Sequence, residues 1–104
     1  MEMLLIGNQL ILGVEENEPL FAVEGIFPNP ASDKVTLSIY SAENQIGTIK
    51  ILDLNGKVVQ LQSTTLQMGN NVLEMNVHAW TKGIYFVQIM TENGQQSTLK
   101  LIKN

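Results

Sequence analysis

The stretch Gly25 to Ile39, GIFPNPASDKVTLSI, decides how this chain is read. Pro28 and Pro30 bracket Asn29, and a proline has no N–H to give to a sheet ladder, so the segment is no central strand. Phe27 and Asn29 each precede a proline, which favours extended or polyproline geometry. Beyond the prolines the pattern alternates. Val35, Leu37 and Ile39 share one face, and Lys34, Thr36, Ser38 and Tyr40 share the other. A rigid corner therefore feeds a half-buried strand.

Working outward, the same two-residue period recurs. Leu20 to Phe27 reads as a strand with Phe21, Val23 and Phe27 inward, and Gly25 and Ile26 break its alternation as a β-bulge would. Leu73, Met75 and Val77 alternate with Glu74 and Asn76 in another strand. Two hairpins have registers that side-chain matching can choose between. For Thr48 to Gln62, a two-residue turn at Asn55-Gly56 sets Ile49 and Ile51 opposite Gln62 and Gln60. A three-residue loop, Leu54-Asn55-Gly56 with Gly56 left-handed, sets them opposite Leu61 and Val59, and the apolar match selects it. For Gly83 to Ile102, a loop through Glu92-Asn93-Gly94 places Val87 opposite Leu99 and Tyr85 opposite Leu101. That choice also gives one continuous apolar face. Trp80 falls in a connection closed by Gly83.

Six or seven short strands separated by turn signals, with no helical period, predict an all-β fold: an immunoglobulin-like antiparallel β-sandwich. The chain of 104 residues holds no cysteine, so the Cys…Trp…Cys framework of antibody domains is absent. Hydrophobic residues at 44% against 15% charged suit one packed domain and argue against disorder. An extra N-terminal hairpin is expected about Gly7-Asn8, with Leu5 opposite Leu10 and Leu4 opposite Ile11, followed by the acidic segment EENEP, Glu15 to Pro19, as a linker. The division is thus 1–19, a hairpin and linker on the side of a preceding domain, and 20–104, the sandwich.

The chemistry inventory is short. His78 is the only histidine, so a multi-histidine metal site within the chain is ruled out, and it is read as a polar loop residue before Trp80 rather than as a triad member. No serine lies in a G-x-S-x-G elbow, and no phosphate-loop or dinucleotide glycine spacing occurs. Asp53-Leu54-Asn55-Gly56 begins like a calcium loop but lacks the later glutamate, so Asp53 reads as the first residue of a turn. No catalytic, cofactor-binding or metal-binding residue is assigned, and the chain is read as non-enzymatic. A net charge of −4 with no basic run disfavours nucleic acid, and no apolar run of about 20 residues is present to insert in a bilayer.

The order of the pieces carries more. Pro28-Asn29-Pro30 precedes the first alternating strand. Then come Ile49-Lys50-Ile51-Leu52-Asp53 with Gly56-Lys57-Val58-Val59, next Gly83-Ile84-Tyr85, and last Lys100-Leu101-Ile102-Lys103. This series resembles the C-terminal sorting domain of type IX secretion (Por secretion system) cargo proteins of the Bacteroidetes, over Phe21 to Asn104. The resemblance implies a non-catalytic signal that directs an attached cargo through the periplasm and across the outer membrane to the cell surface or medium. Its partners would be the outer-membrane translocon and a sortase-like surface peptidase that removes the domain in the linker near Gly13 to Glu24, where no residue motif fixes the bond. By position, Pro28, Asn29, Pro30, Gly83, Tyr85, Lys100, Leu101, Ile102 and Lys103 match the family's recognition motifs.

The register of the last hairpin adds a docking stripe. Ile84, Phe86, Met90 and Ile102, flanked by Lys100 and Lys103, project opposite Tyr85 and Val87, either toward the secretion machinery or a second copy of the domain in a homodimer, or under a cover formed by residues 3–13. The rival reading is an adhesion or carbohydrate-binding module of a cell-surface protein, which needs an exposed aromatic pair such as Trp80 with Tyr40. Structural roles compete for single residues: a rigid corner for the prolines, a tight turn for Gly83, a buried ring with a backbone partner for the Tyr85 hydroxyl, and edge protection for the lysines.

Overall fold

The computed structural model describes residues 20–104, and the expected hairpin and linker of residues 1–19 lie outside them. Seven strands follow in order: β1 (Phe21–Phe27), β2 (Lys34–Ser41), β3 (Gln45–Asp53), β4 (Val58–Leu66), β5 (Gly69–Asn76), β6 (Gly83–Thr91) and β7 (Gln96–Lys103). They form two antiparallel sheets, β1-β2-β5 and β4-β3-β6-β7. The sandwich is the expected one, with β4 lying beside β3 on the larger sheet.

The alternation in the sequence builds the core directly. Val35, Leu37 and Ile39 of β2 are fully buried and face Ile49 and Ile51 of β3, Val87 and Ile89 of β6, and Leu101 of β7. Burying each of these contributes roughly 1.5–3 kcal/mol. The central strands β2, β3 and β6 supply most of this layer because each is flanked by neighbours on both sides.

The β6–β7 hairpin has the expected register: Val87 pairs with Leu99 and Tyr85 with Leu101. Its loop is closed by Thr91 N–H on Gln95 O (2.8 Å) and Gly94 N–H on Thr91 O (2.9 Å), with Gly94 at φ 88°. The β3–β4 hairpin starts the same way. Asp53 N–H reaches Lys57 O (2.9 Å), Gly56 N–H reaches Asp53 O (3.0 Å), and Gly56 has φ 85°. The Asp53 carboxylate accepts from Asn55 N–H and Lys57 N–H, both at 2.9 Å, so its role is that of a turn residue.

Beyond that turn the sequence expectation fails. Leu52 pairs with Val58, but a bulge then intervenes and Ile51 pairs with Gln60 and Ile49 with Gln62. Val59 is the extra residue, and Leu61 turns outward with 61% of its surface exposed. The inner face of β4 is consequently Gln60, Gln62 and Thr64, half-buried, ending in the fully buried Leu66. A three-stranded sheet does not cover a four-stranded one, so an edge strand can turn glutamines toward a rim that water still reaches. Gly47 contributes as well: a Cβ there would lie 3.0 Å from the Leu66 side chain, so the missing side chain makes room for the one large apolar group β4 buries.

A second correction concerns β1. A bulge does occur, between Val23 and Gly25, and it places Glu24 as the extra residue. The shift reverses the faces beyond it. Ile26 packs on the core, and Phe27, expected inward, is 52% exposed.

Candidate functional site

The proline corner and the last strand lie far apart in sequence and meet in space. Asn29 Nδ2 donates to Lys100 O (2.8 Å), and Ile102 N–H donates to Asn29 Oδ1 (2.9 Å). One side-chain amide thus acts as a peptide unit would, pairing with the outer edge of β7. Two residues on, Ala31 continues the contact: Ala31 N–H donates to Ile102 O and Asn104 N–H to Ala31 O, both at 2.8 Å, a one-residue parallel bridge between Ala31 and Lys103. Proline suits the positions on either side of Asn29 because it brings no N–H that would need a partner there. Both X–Pro bonds, Phe27–Pro28 and Asn29–Pro30, are cis.

The structure therefore brings together most of the motif residues singled out in the sequence. Pro28, Asn29 and Pro30 form a latch across Lys100, Leu101, Ile102 and Lys103. Gly83 pairs with Lys103 and Tyr85 with Leu101, so the start of β6 lies beside the same end of β7 in the sheet. Gly83 has φ 150°, a conformation that side chains disfavour. Tyr85 is buried, its hydroxyl donates to Thr81 O (2.6 Å), and its ring lies 4.9 Å from that of Trp80. Leu101 is fully buried. Tyr85 and Leu101 thus act from inside by holding the strand ends, while Asn29, Lys100 and Ile102 remain accessible.

The docking stripe divides in two. Ile84 pairs with Ile102, and Phe86 sits between Leu52 and Lys100 across the sheet. Met90 is set apart from them by Gln88 and neighbours Thr48 and Gln96. The β4 bulge adds residues that sequence reasoning missed: Val58 joins Leu52, and Leu61 joins Lys50, all on this outer face. No periodicity signals a bulge inside an uncharged strand, so the missing members had no mark in the sequence.

Elsewhere the polar contacts are structural. His78 Nδ1 lies 2.9 Å from Asp33 Oδ1 with both side chains largely exposed, a pair worth about 0–1 kcal/mol. Among the described residues no cluster of His, Asp and Glu is grouped to hold a metal. Trp80 and Tyr40 do not form a platform. Trp80 N–H bonds Val77 O and Val77 N–H bonds Asp33 O, at the start of β2, whereas Tyr40 lies at its far end.

The family described as the secretion system C-terminal sorting domain matches residues 25–104. This chain belongs to that family. It is a sorting domain of type IX secretion, and the family's role is to route a protein for export rather than to catalyse. The chain is 30% identical over 94 residues to an endo-acting ulvan lyase of Formosa agariphila, covering 88% of this chain but only 17% of the lyase. Its fold matches part of dimeric latent PorU from Porphyromonas gingivalis with a TM-score of 0.67 at 18% identity, covering 86% of this chain and 10% of that one. The sorting domain thus spans a small fraction of each protein it resembles.

Proposed function

We propose that this domain is the export address of a larger cargo, that the outer-membrane translocon reads its latched last strand, and that a sortase-like peptidase then cuts within Gly13 to Glu24. The observation that carries the reading is the Asn29 clamp on Lys100 and Ile102. It presents residues 100–103 in one fixed geometry at one end of the sandwich, with Gly83 and Tyr85 fixing the adjoining strand. A receptor meets a preformed surface there rather than a frayed terminus, and preorganisation lowers the ordering cost of binding. The small share of the lyase that this chain covers fits an address appended to a larger protein. The stripe Ile84, Phe86 and Ile102 adjoins the latch and is the surface we assign to the machinery, with a second copy of the domain as the alternative occupant.

The test is a periplasmic reporter carrying residues 1–104 at its C-terminus, expressed in a type IX host and in the same host lacking the translocon. Export is expected in the first only, and cleavage should leave a shortened reporter ending within the stated segment. Retention in the periplasm of both strains would refute the proposal. A fusion carrying Phe86→Ser that is folded yet exported at the normal rate would remove the stripe from the interface.

A further inference from the structure

The two outer faces of the sandwich differ in charge. Outward positions on the three-stranded sheet carry Lys34 and Glu74, and the β1 bulge adds Glu24, which bonds Ser38 Oγ (3.2 Å). On the four-stranded sheet the outward positions are Ile46, Thr48, Lys50 and Leu52 of β3, then Val58, Leu61, Ser63 and Thr65 of β4. β6 adds Ile84, Phe86, Gln88 and Met90, and β7 adds Gln96, Thr98, Lys100 and Ile102. No Asp or Glu is among them. Lys57 and Lys82 stand at the rim, lining an open cleft with Asp53, Val59 and Ile84. Among the described residues, the outward positions of this face thus carry Lys50 and Lys100 among apolar and uncharged side chains, and the nearest carboxylates, Asp53 and Glu92, stand at its rim.

Resting on the export reading above, we infer that this face docks an acidic, partly apolar protein surface. Lys50 and Lys100 lie on β3 and β7, two strand spacings apart and offset by two residues, because Lys50 is level with Gln88 and Lys100 with Phe86; their backbone positions are thus about 12 Å apart. Among the described residues neither ammonium has a carboxylate partner in an ion pair. Two charges pinned by sheet register around an aromatic ring suit a matching pair of carboxylates on a folded partner. Charges that flank an apolar centre chiefly set association rate and salt dependence, while the apolar centre holds the complex.

The reporter fusion in the type IX host tests this with two variants of equal net-charge change. Lys50→Gln with Lys100→Gln should cut export at least tenfold, and Lys34→Glu on the opposite face should leave it unchanged. Lys50→Arg with Lys100→Arg should retain export, and thermal melts of the purified proteins exclude unfolding. Normal export of the double glutamine variant overturns the inference while leaving the export reading intact. Failure of the unmodified fusion to leave the periplasm removes that reading itself. Sedimentation with vesicles of phosphatidylcholine plus phosphatidylglycerol, but not phosphatidylcholine alone, lost in the double variant, would make the partner a lipid and overturn the protein version. So would shifts at the Lys50, Phe86 and Lys100 amides when Glu15, Glu16 and Glu18 become Gln, since the face would then be covered by the chain's own N-terminal segment.

Discussion

The two hairpins of the four-stranded sheet use one turn and reach different ends. Both close a three-residue loop with glycine left-handed at its last position, at Gly56 and at Gly94. In β6–β7 the register set by the loop runs unbroken to Gly83 and Lys103. In β3–β4 it lasts to Leu52 and Val58 before the bulge at Val59 resets it. Each hairpin ends in an edge strand, but β7 is clamped along its outer side by Asn29 and Ala31, whereas β4 has no such clamp among the described residues. Apolar matching therefore predicts register where a strand is held on both sides, and loses force where one side is free.

The largest expected effect is at the inner face of the clamped strand. Leu101→Ala should cost about 2–5 kcal/mol in urea unfolding, because a fully buried leucine leaves a cavity. A cost below 1 kcal/mol would mean that β7 is not part of the core. Next come the turns. Gly56→Ala and Gly94→Ala should each cost about 1–2 kcal/mol, since both force a side chain into the left-handed region. A clear inequality between them would break the equivalence of the two loops. Asn29→Ala should cost about 1 kcal/mol and speed amide exchange at Ile102 while leaving β4 amides unchanged. Asn29→Asp, which loses the donor to Lys100 O, should behave similarly. The smallest effect sharpens the contrast most: Leu61→Ala should lie within about 0.5 kcal/mol of the parent, because its side chain faces solvent. If Leu61 costs as much as Leu101, the register of β4 is wrong.

The sequence by itself determined the layer of Val35, Leu37, Ile39, Val87 and Leu101, both glycine turns, the β6–β7 register and the Tyr85 hydroxyl bond. These rest on local signals, a period of two and residues that tolerate one backbone conformation, so neighbours in sequence suffice to express them. It also picked out the proline corner and the terminal KLIK without joining them. Only tertiary structure decided that Asn29 pairs with Lys100 and Ile102, that Glu24 is the extra residue of the β1 bulge, that β4 bulges at Val59, and that Phe27 and Leu61 face outward. Those outcomes depend on which strands share an edge and how much of that edge the opposing sheet covers, and long-range packing sets both.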